Sequence, residues 1–179
     1  YSSDLGATCG LLVSEEIAPN STDAPISIAG IGQASGKPLH DSDELTSLSA
    51  AKAASQQAYD MAGITVAAID LAEVHDCFTI AELLIYEAMG LAPAGQGQRA
   101  LHDGTVYADG ALPVNLSGGL KAKGHPVGAT GVSMHALAFR QLTGRPVGEA
   151  RGGAGLGLVF NMGGAAVANF ASVLEAREA

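Results

Sequence analysis

The sequence predicts an α/β domain built on a mixed, mostly parallel, five-stranded sheet with helices on both faces. Apolar segments of strand length alternate along the chain with segments of helix length, as in consecutive strand–helix–strand units. The last two apolar segments follow each other across a short glycine turn, which predicts a hairpin and one antiparallel edge. The alanine-rich stretch at residues 50–58 is suited to close packing of a helix on this sheet.

The first half of the chain contains three predicted strands and one helix. Residues 7–14 have the pattern of a buried strand, and residues 26–32 alternate apolar and small residues with a period near two. Residues 45–62 have a helical pattern that ends at Gly63, because glycine readily adopts the left-handed conformation found after helices. Residues 71–74 form a short apolar strand.

The second half begins with a predicted helix at residues 80–89, for which Thr79 and Glu82 have the spacing of a capping box. Residues 90–110 are glycine-rich and irregular. The remaining predicted elements are bounded by glycine or proline: a strand at 112–115, a helix at 129–143, strands at 154–160 and 165–174, and a tight hairpin connection at 161–164.

Composition narrows the classes of function. The chain has 18 acidic and 9 basic residues, and its net charge of −9 argues against nucleic acid and anionic membranes as partners. No apolar run reaches the length of a membrane span. With 47% hydrophobic and 15% charged residues, we expect a partner to cover part of the surface. The two cysteines have neither metal-ligand spacing nor a disulfide framework, so we expect a reducing, cytoplasmic location.

A glycine-rich loop at residues 117–131 is the first candidate for chemistry. It holds five glycines and one proline, which are unfavourable inside helices and strands. His125 lies at its centre, shortly before a predicted helix, where an imidazole and exposed N–H groups can handle protons and anionic oxygens. A tight connection whose histidine merely caps the helix would explain the same residues.

A second candidate is the loop that holds His75, Asp76 and Cys77. It follows a predicted strand and precedes a predicted helix, where open α/β sheets bind their ligands. Taken singly, His75 would more often be a satisfied core histidine and Cys77 a small buried hydrophobe. We expect this loop, His125 and the backbone N–H groups of the hairpin at 161–164 to meet at one end of the sheet. Together they have the groups that acyl transfer requires.

Three motifs now suggest a family. His75-Asp76-Cys77-Phe78, Gly124-His125-Pro126 and Asn161-Met162-Gly163 occur in this order. Together they resemble the C-terminal half of the thiolases over nearly the whole chain, from Asp4 onward. Most thiolases have Asn-Glu-Ala-Phe at the first motif and Cys-x-Gly at the third. The His-Asp-Cys-Phe form is the mark of the sterol carrier protein X-type thiolases and their bacterial and archaeal relatives.

The resemblance also implies a division of the chain. Ser3-Asp4-Leu5-Gly6-Ala7 is similar to the closing strand of the thiolase N-terminal half. Residues 1–20 are therefore expected to close a missing N-terminal half, and residues 21–179 to form a C-terminal thiolase domain. The fold class that follows is a thiolase-like C-terminal domain.

The resemblance implies a role for four residues. His125 would take the proton from a nucleophilic cysteine and then donate to the thioester oxygen in one oxyanion hole, with help from His75 directly or through water. Cys77 would be the acid/base at the α-carbon of the incoming acyl group. The backbone N–H of Gly163 would serve the second oxyanion hole. For its task, the Cys77 thiol is expected to have a pKa lowered by His75 or by a helix N-terminus.

Three readings of function remain open at this stage. In the first, the chain is the catalytic C-terminal half of a thiolase whose nucleophile lies in the absent half, so the isolated chain is inactive. In the second, it belongs to a lipid-transfer-protein-type retro-aldolase acting on a coenzyme A ester, a group in which tyrosine does the acid/base work. Tyr86 and Tyr107 are candidates for that work, although packing or surface roles are more usual. In the third, it is a non-catalytic thiolase-fold binding or scaffold module.

The expected ligands follow from the same resemblance. No metal cluster or dinucleotide fingerprint occurs, so no fixed cofactor is expected, and coenzyme A or acyl-CoA would be the substrate. Lys121 and Lys123 are weak candidates for its phosphates, since loop lysines are usually solvated. The resemblance implies a homo-oligomer, the missing N-terminal half as a partner, and in some relatives a small OB-fold protein with a zinc ribbon.

Overall fold

The computed structural model describes residues 6–42 and 45–177. Ser3, Asp4 and Leu5, which carry part of the thiolase resemblance, lie outside the described residues. One sheet has the strand order β1-β4-β3-β2. Its strands are β1 (Ile26–Ser35), β2 (Leu71–Val74), β3 (Leu156–Gly163) and β4 (Ala168–Ala176).

Six α-helices lie within the described ranges. They are α1 (Ala18–Ser21), α2 (Ser49–Ala62), α3 (Thr79–Met89), α4 (Arg99–His102), α5 (Gly119–Lys123) and α6 (Thr130–Leu142). Two short 3-10 turns, Leu39–Asp41 and Val66–Ala68, complete the regular structure there. None of the described helices combines the length and apolar character needed to cross a bilayer.

The α/β class, the mixed sheet and the helices on both faces are confirmed, but the described sheet has four strands instead of five. It is also mostly antiparallel, because β4 runs antiparallel to both β1 and β3 while β2 and β3 are parallel. The predicted strand at 112–115 forms a single bridge, between Val114 and Ala72. Pro113 has no N–H for a ladder, and Asn115 turns to a left-handed φ of 54°, so pairing stops there.

One face of the sheet carries α2 and α3. This core draws on alternate strand residues and on both helices: Ala51, Ala58, Ile85, Met89, Ala72, Val74, Leu158, Phe160 and Val173. Gly30 and Gly32 let α2 lie directly on β1, since a Cβ at either glycine would overlap a backbone carbonyl oxygen of α2, that of Ala58 or Ala54. Gly63, with a φ of 69°, ends α2 as the sequence predicted.

The opposite face carries α6. A second core forms where Met134, Ala138 and Leu142 pack against strand residues, which are Leu71, Val159 and Leu174. Strand side chains alternate between faces, so every second residue of β2 and β3 faces α6. This face holds the candidate site.

Residues 7–14 do not form the predicted buried strand. Leu11 and Leu12 are 80% and 81% exposed, and Cys9, expected in the core, is exposed as well. The physical reason is that none of the described strands pairs with this segment. Its apolar side chains therefore have no sheet to pack on.

The predicted hairpin and capping box also differ from the structure. β3 continues through Gly163, so Asn161 lies inside a strand, and the turn falls at residues 164–167. Ala165 there has a φ of 56°, a left-handed conformation that L-residues rarely adopt. α3 begins at Thr79 without a side-chain cap, because Phe78 occupies the N-cap position and Thr79 lies one residue inside the helix. The Glu82 carboxylate accepts a hydrogen bond from the Tyr86 hydroxyl.

Candidate active site

Strand alternation and register place His75 beside Asn161 on the α6 face. Leu71 in β2 and Val159 in β3 pack on α6, and residues at even spacing from them share that face. The backbone N–H of His75 donates to the carbonyl of Phe160 at 3.1 Å, so the parallel register continues one residue beyond β2. The side chains of His75 and Asn161 therefore meet across neighbouring strands.

A hydrogen bond fixes the tautomer of His75. Its Nδ1 lies 2.7 Å from Oδ1 of Asn161. A carbonyl oxygen can only accept, so Nδ1 carries the hydrogen and Nε2 is the acceptor of the neutral ring. Burial lowers the pKa of His75 and neighbouring His125 lowers it further, whereas the bond to Asn161 opposes the shift. Burial therefore favours the neutral form of the ring.

His125 lies between two helical segments. α5 ends at Lys123 and is followed by Gly124, whose φ is 82°, and α6 begins five residues after His125. The helix that the sequence predicted after this histidine is confirmed. Nδ1 of His125 lies 2.7 Å from Oγ1 of Thr130, the first residue of α6.

The two imidazoles touch. The ring centroids of His75 and His125 are 4.9 Å apart, with an interplanar angle of 81°. Gly131 makes room beside them, since a Cβ there would lie 2.8 Å from Nδ2 of Asn161. The structure thus brings together the loops of His75 and His125 with Asn161, which belongs to the third segment that the sequence predicted to meet them.

Two carboxylates tie the His125 loop to β2 and the residues that follow it. Asp76 Oδ1 accepts the backbone N–H of Leu120 at 2.9 Å, near the start of α5. Glu73, only 1% exposed, accepts the Ser117 hydroxyl at 2.7 Å. Burial raises the pKa of Glu73, and its hydrogen bonds from Ser117 oppose that rise. Glu73 and Asp76 therefore help to set the position of the loop that bears His125.

Lys123 lies near these two carboxylates and is partly buried. Its Nζ donates to the Ser133 hydroxyl oxygen at 3.1 Å. Burial lowers the pKa of Lys123, and the charges of Glu73 and Asp76 oppose that shift. Lys121 is exposed, so it is the lysine of this pair that faces solvent. Phosphate binding by either lysine stays a prediction.

Cys77 does not have the environment expected of it. The residue is partly buried and packs against the α2–α3 core. Burial raises the pKa of Cys77, and the backbone N–H of Phe78 only partly offsets the rise. The expectation of a lowered pKa is wrong for this chain, because burial of the thiol disfavours its charged form.

Gly163 is the last residue of β3 and is exposed. It lies two residues beyond Asn161 and so shares the face of the sheet that carries the imidazoles. Its role as an oxyanion donor stays a prediction. Tyr86 is buried and its hydroxyl donates to Glu82 at 2.7 Å, while Tyr107 is exposed. The position of Tyr86 fits a packing role, and that of Tyr107 fits a surface role.

A cleft of about 230 Å³ adjoins His125. Its walls are formed by residues 6–8, residues 123–126 and Ser133. Gly6 lies against the ring of Pro126, which a Cβ at Gly6 would overlap. Within the described residues, no group of three or more His, Cys, Asp or Glu side chains could hold a metal ion. The cleft leaves open space next to the imidazole of His125.

Comparison with protein families identifies the fold. Residues 32–176 match the family described as thiolase C-terminal domain-like. The chain belongs to the thiolase C-terminal domain family. The fold class expected from the resemblance, a thiolase-like C-terminal domain, is thereby confirmed.

The thiolase domain is similar to several curated proteins. It is 42% identical over 160 residues to an acetyl-CoA acetyltransferase of Methanothermobacter thermautotrophicus, covering 89% of this chain and 42% of that protein. It is 43% identical over 112 residues to human sterol carrier protein 2, covering 63% of this chain and 20% of that protein. A benzoylsuccinyl-CoA thiolase subunit, BbsB, of Thauera aromatica is 36% identical over 139 residues, covering 76% of this chain and 36% of that protein.

A solved structure of an Ltp2-ChsH2(DUF35) aldolase has a similar fold, with a TM-score of 0.76 and 28% sequence identity. The match covers 87% of the thiolase domain and 40% of that chain. The domain thus spans less than half the length of each of these relatives.

Sequence reasoning missed three contacts of the site. Asn161 was read as a residue that displaces a cysteine, although its amide holds His75. Thr130 was not singled out, although its hydroxyl contacts His125. Asp76 was placed in the candidate loop but given no role, although its carboxylate binds the loop before His125. A polar residue in the first turn after His125 was a signal for Thr130, but the other two contacts depend on which strands become neighbours.

Proposed function

We propose that this chain is the C-terminal catalytic half of a thiolase-type acyl-CoA acyltransferase, with coenzyme A and acyl-CoA as substrates. The proposal rests on the edge contact of the His75 and His125 rings, 4.9 Å apart at one end of the sheet. Two oriented imidazoles beside a cleft suit proton transfer and stabilisation of a developing oxyanion. The chain spans 42% of the archaeal acetyl-CoA acetyltransferase, which leaves room for a separate half that carries the nucleophilic cysteine.

In the first half-reaction, His125 takes the proton of the nucleophilic thiol as the sulfur attacks the thioester carbonyl. The bond between the carbonyl carbon and the coenzyme A sulfur then breaks, and His125 gives the proton to the departing sulfur. In its neutral form, the His75 ring is hydrogen-bonded through Nδ1 and has an acceptor at Nε2. It therefore supports the oxyanion through a bridging water and not by direct donation.

In the second half-reaction, the Cys77 thiolate removes a proton from the α-carbon of a second acyl-CoA. The resulting enolate attacks the acyl-cysteine, a carbon–carbon bond forms, and the nucleophilic sulfur leaves and recovers a proton from Cys77. The N–H of Gly163 stabilises the oxyanion of this step. Because burial raises the pKa of Cys77, exchange of the α-proton should accelerate as the pH rises toward that pKa.

Thiolysis by the complete thiolase, meaning this chain together with the N-terminal half, tests the proposal. His125→Ala should lower kcat by about 10²- to 10⁴-fold, the usual contribution of a general acid/base. His102→Ala is the matched control, since His102 is an exposed histidine at the end of α4, and it should leave kcat unchanged. Thiolysis that survives His125→Ala would contradict the proposed role.

The isolated 179-residue chain provides a second test. We expect it to bind no acyl group covalently and to show no turnover with acetyl-CoA, because the nucleophile lies in the other half. Turnover by a verified, purified chain would overturn this part of the proposal. Size-exclusion chromatography with light scattering on the complete thiolase would test the proposed homo-oligomer.

The similarity to the Ltp2-ChsH2(DUF35) aldolase favours a second candidate function, a retro-aldol cleavage of a β-hydroxyacyl-CoA. The complete protein would then cleave such an ester without added coenzyme A, and His125→Ala would not affect the rate. Tyr86 would have to act as the acid/base, but its hydroxyl is bonded to Glu82 at 2.7 Å. Copurification with a small OB-fold, zinc-ribbon protein would support an assembly of that kind.

A further inference from the structure

Thr130 is a buried polar residue that touches the ring of His125. It is 1% exposed, and its Oγ1 lies 2.7 Å from Nδ1 of His125 and 3.0 Å from the carbonyl oxygen of Pro126. A hydroxyl has one hydrogen to donate, and a carbonyl oxygen can only accept. For both contacts to be hydrogen bonds at once, the hydroxyl must donate to Pro126, and its oxygen must then accept from Nδ1–H of His125.

The hydroxyl does not cap α6. A threonine at the start of a helix usually accepts a hydrogen bond from a backbone N–H of the first turn. In α6 the N-cap position is occupied by Ala129, and no side-chain cap is formed. The acceptor capacity of Thr130 is thus directed to the imidazole.

We infer that Thr130 is a positioning residue that holds His125 in its Nδ1–H tautomer and leaves Nε2 as the proton acceptor. In a neutral imidazole one nitrogen carries the hydrogen, and the partner of that nitrogen selects the tautomer. Use of the Nε2 lone pair as a base toward the nucleophilic thiol rests on the proposed function. The tautomer itself does not, so it can be measured without catalysis.

Nitrogen NMR on the histidine-labelled chain tests the tautomer. Three forms are compared, the wild type, Thr130→Val and Thr130→Ser, with the His125 signals assigned from a His125→Gln variant. In the wild type and in Thr130→Ser, Nδ1 should give a proton-bearing signal and Nε2 a bare one. In Thr130→Val, which keeps the side-chain shape but lacks the hydroxyl, the pattern should move toward the Nε2–H tautomer.

Two results would overturn the inference. An Nε2–H tautomer in the wild type does so whether or not any variant folds. The inference is also overturned if the His125 nitrogen signals of Thr130→Val match those of the wild type, because the hydroxyl would then not determine the tautomer.

Activity of the complete thiolase gives an independent readout. Thr130→Val should lower kcat by about 10²-fold, the lower end of a general base's contribution, with little change in KM, and Thr130→Ser should restore the rate. If Thr130→Val and Thr130→Ser lower kcat equally, Thr130 is only a packing residue and the inference is refuted. If His125→Ala leaves thiolysis intact, the proposed function fails, while the tautomer result is decided separately by the spectra.

Discussion

Replacement of Gly131 by alanine should disturb the site while leaving the fold intact. The added Cβ would lie 2.8 Å from Nδ2 and 3.7 Å from Cγ of Asn161, and both atoms belong to a side chain that can rotate away. The amide cannot rotate without weakening its 2.7 Å bond to His75. The substitution therefore acts on the imidazole through its partner.

The change in stability can be worked out from two opposing terms. Gly131 is the second residue of α6, so alanine gains about 0.5–1 kcal/mol of helix stability. Loss of the hydrogen bond between Asn161 and His75 costs about 0.5–1.5 kcal/mol. These terms nearly cancel, so the free energy of unfolding should change by less than about 1 kcal/mol.

Two other glycines serve as controls. Gly32→Ala places its Cβ on the backbone carbonyl of Ala54, which cannot rotate away, and such overpacking costs about 1–3 kcal/mol. Gly128→Ala meets no atom within 4 Å and should change the free energy of unfolding by less than about 0.5 kcal/mol. Gly131→Ala should behave like Gly128→Ala in stability, yet differ from it at His75.

The assay combines urea unfolding, followed by circular dichroism, with nitrogen NMR of the His75 ring. Gly131→Ala should keep the unfolding midpoint near that of the wild type and move the His75 nitrogen signals. The predicted effect of Gly131 on His75 is refuted if Gly131→Ala loses as much stability as Gly32→Ala, or if the His75 signals do not move.

Three further predictions concern a buried charge, a strained turn and a thiol. Burial raises the pKa of Glu73 in the folded state above its value in the unfolded state. As the pH rises from the unfolded-state pKa to the folded-state pKa, the free energy of unfolding of the wild type should therefore fall relative to that of Glu73→Gln. Ala165→Gly should raise the free energy of unfolding by about 0.5–1 kcal/mol, because relief of a left-handed alanine exceeds the entropic cost of glycine. Ala166→Gly should raise the free energy of unfolding by less, since this substitution also removes a buried methyl group. In the complete thiolase, Cys77→Ser should abolish α-proton exchange but leave acylation of the nucleophile largely intact.

Each of these has a result that contradicts it. Urea titrations at several pH values would count against the Glu73 prediction if the difference from Glu73→Gln stayed constant through the acid range. An Ala165→Gly variant no more stable than wild type would show that the turn is not strained by Ala165. Deuterium exchange into acetyl-CoA and acyl loading that fall together in Cys77→Ser would remove the acid/base assignment.

Local sequence rules predicted much of the fold. The strand Leu71–Val74 has its predicted bounds, and α2 ends at Gly63 with the left-handed conformation that glycine permits. The helix after His125 was predicted within one residue at each end. In these places the signal is carried by neighbouring residues, through apolar patterns and the conformational preferences of glycine.

The rest depends on contacts between distant residues. Whether residues 112–115 join the sheet depends on the left-handed turn at Asn115, which the apolar pattern does not reveal. The pairing of His75 with Asn161 follows from the register of β2 against β3, set by side chains far apart in the chain. The pKa of Cys77 depends on how deeply the thiol packs, so its direction of shift could not be predicted from the neighbouring residues.

The exposed leucines near the start of the chain have a practical consequence. Leu11 and Leu12 expose apolar side chains a few residues from the segment that lines the cleft beside His125. When the domain is produced without a covering partner, molecules should self-associate through this patch, more so in strongly salting-out buffers, which favour apolar contact. Leu11→Ser with Leu12→Ser should therefore yield a better-behaved sample for the nitrogen spectra without touching either imidazole.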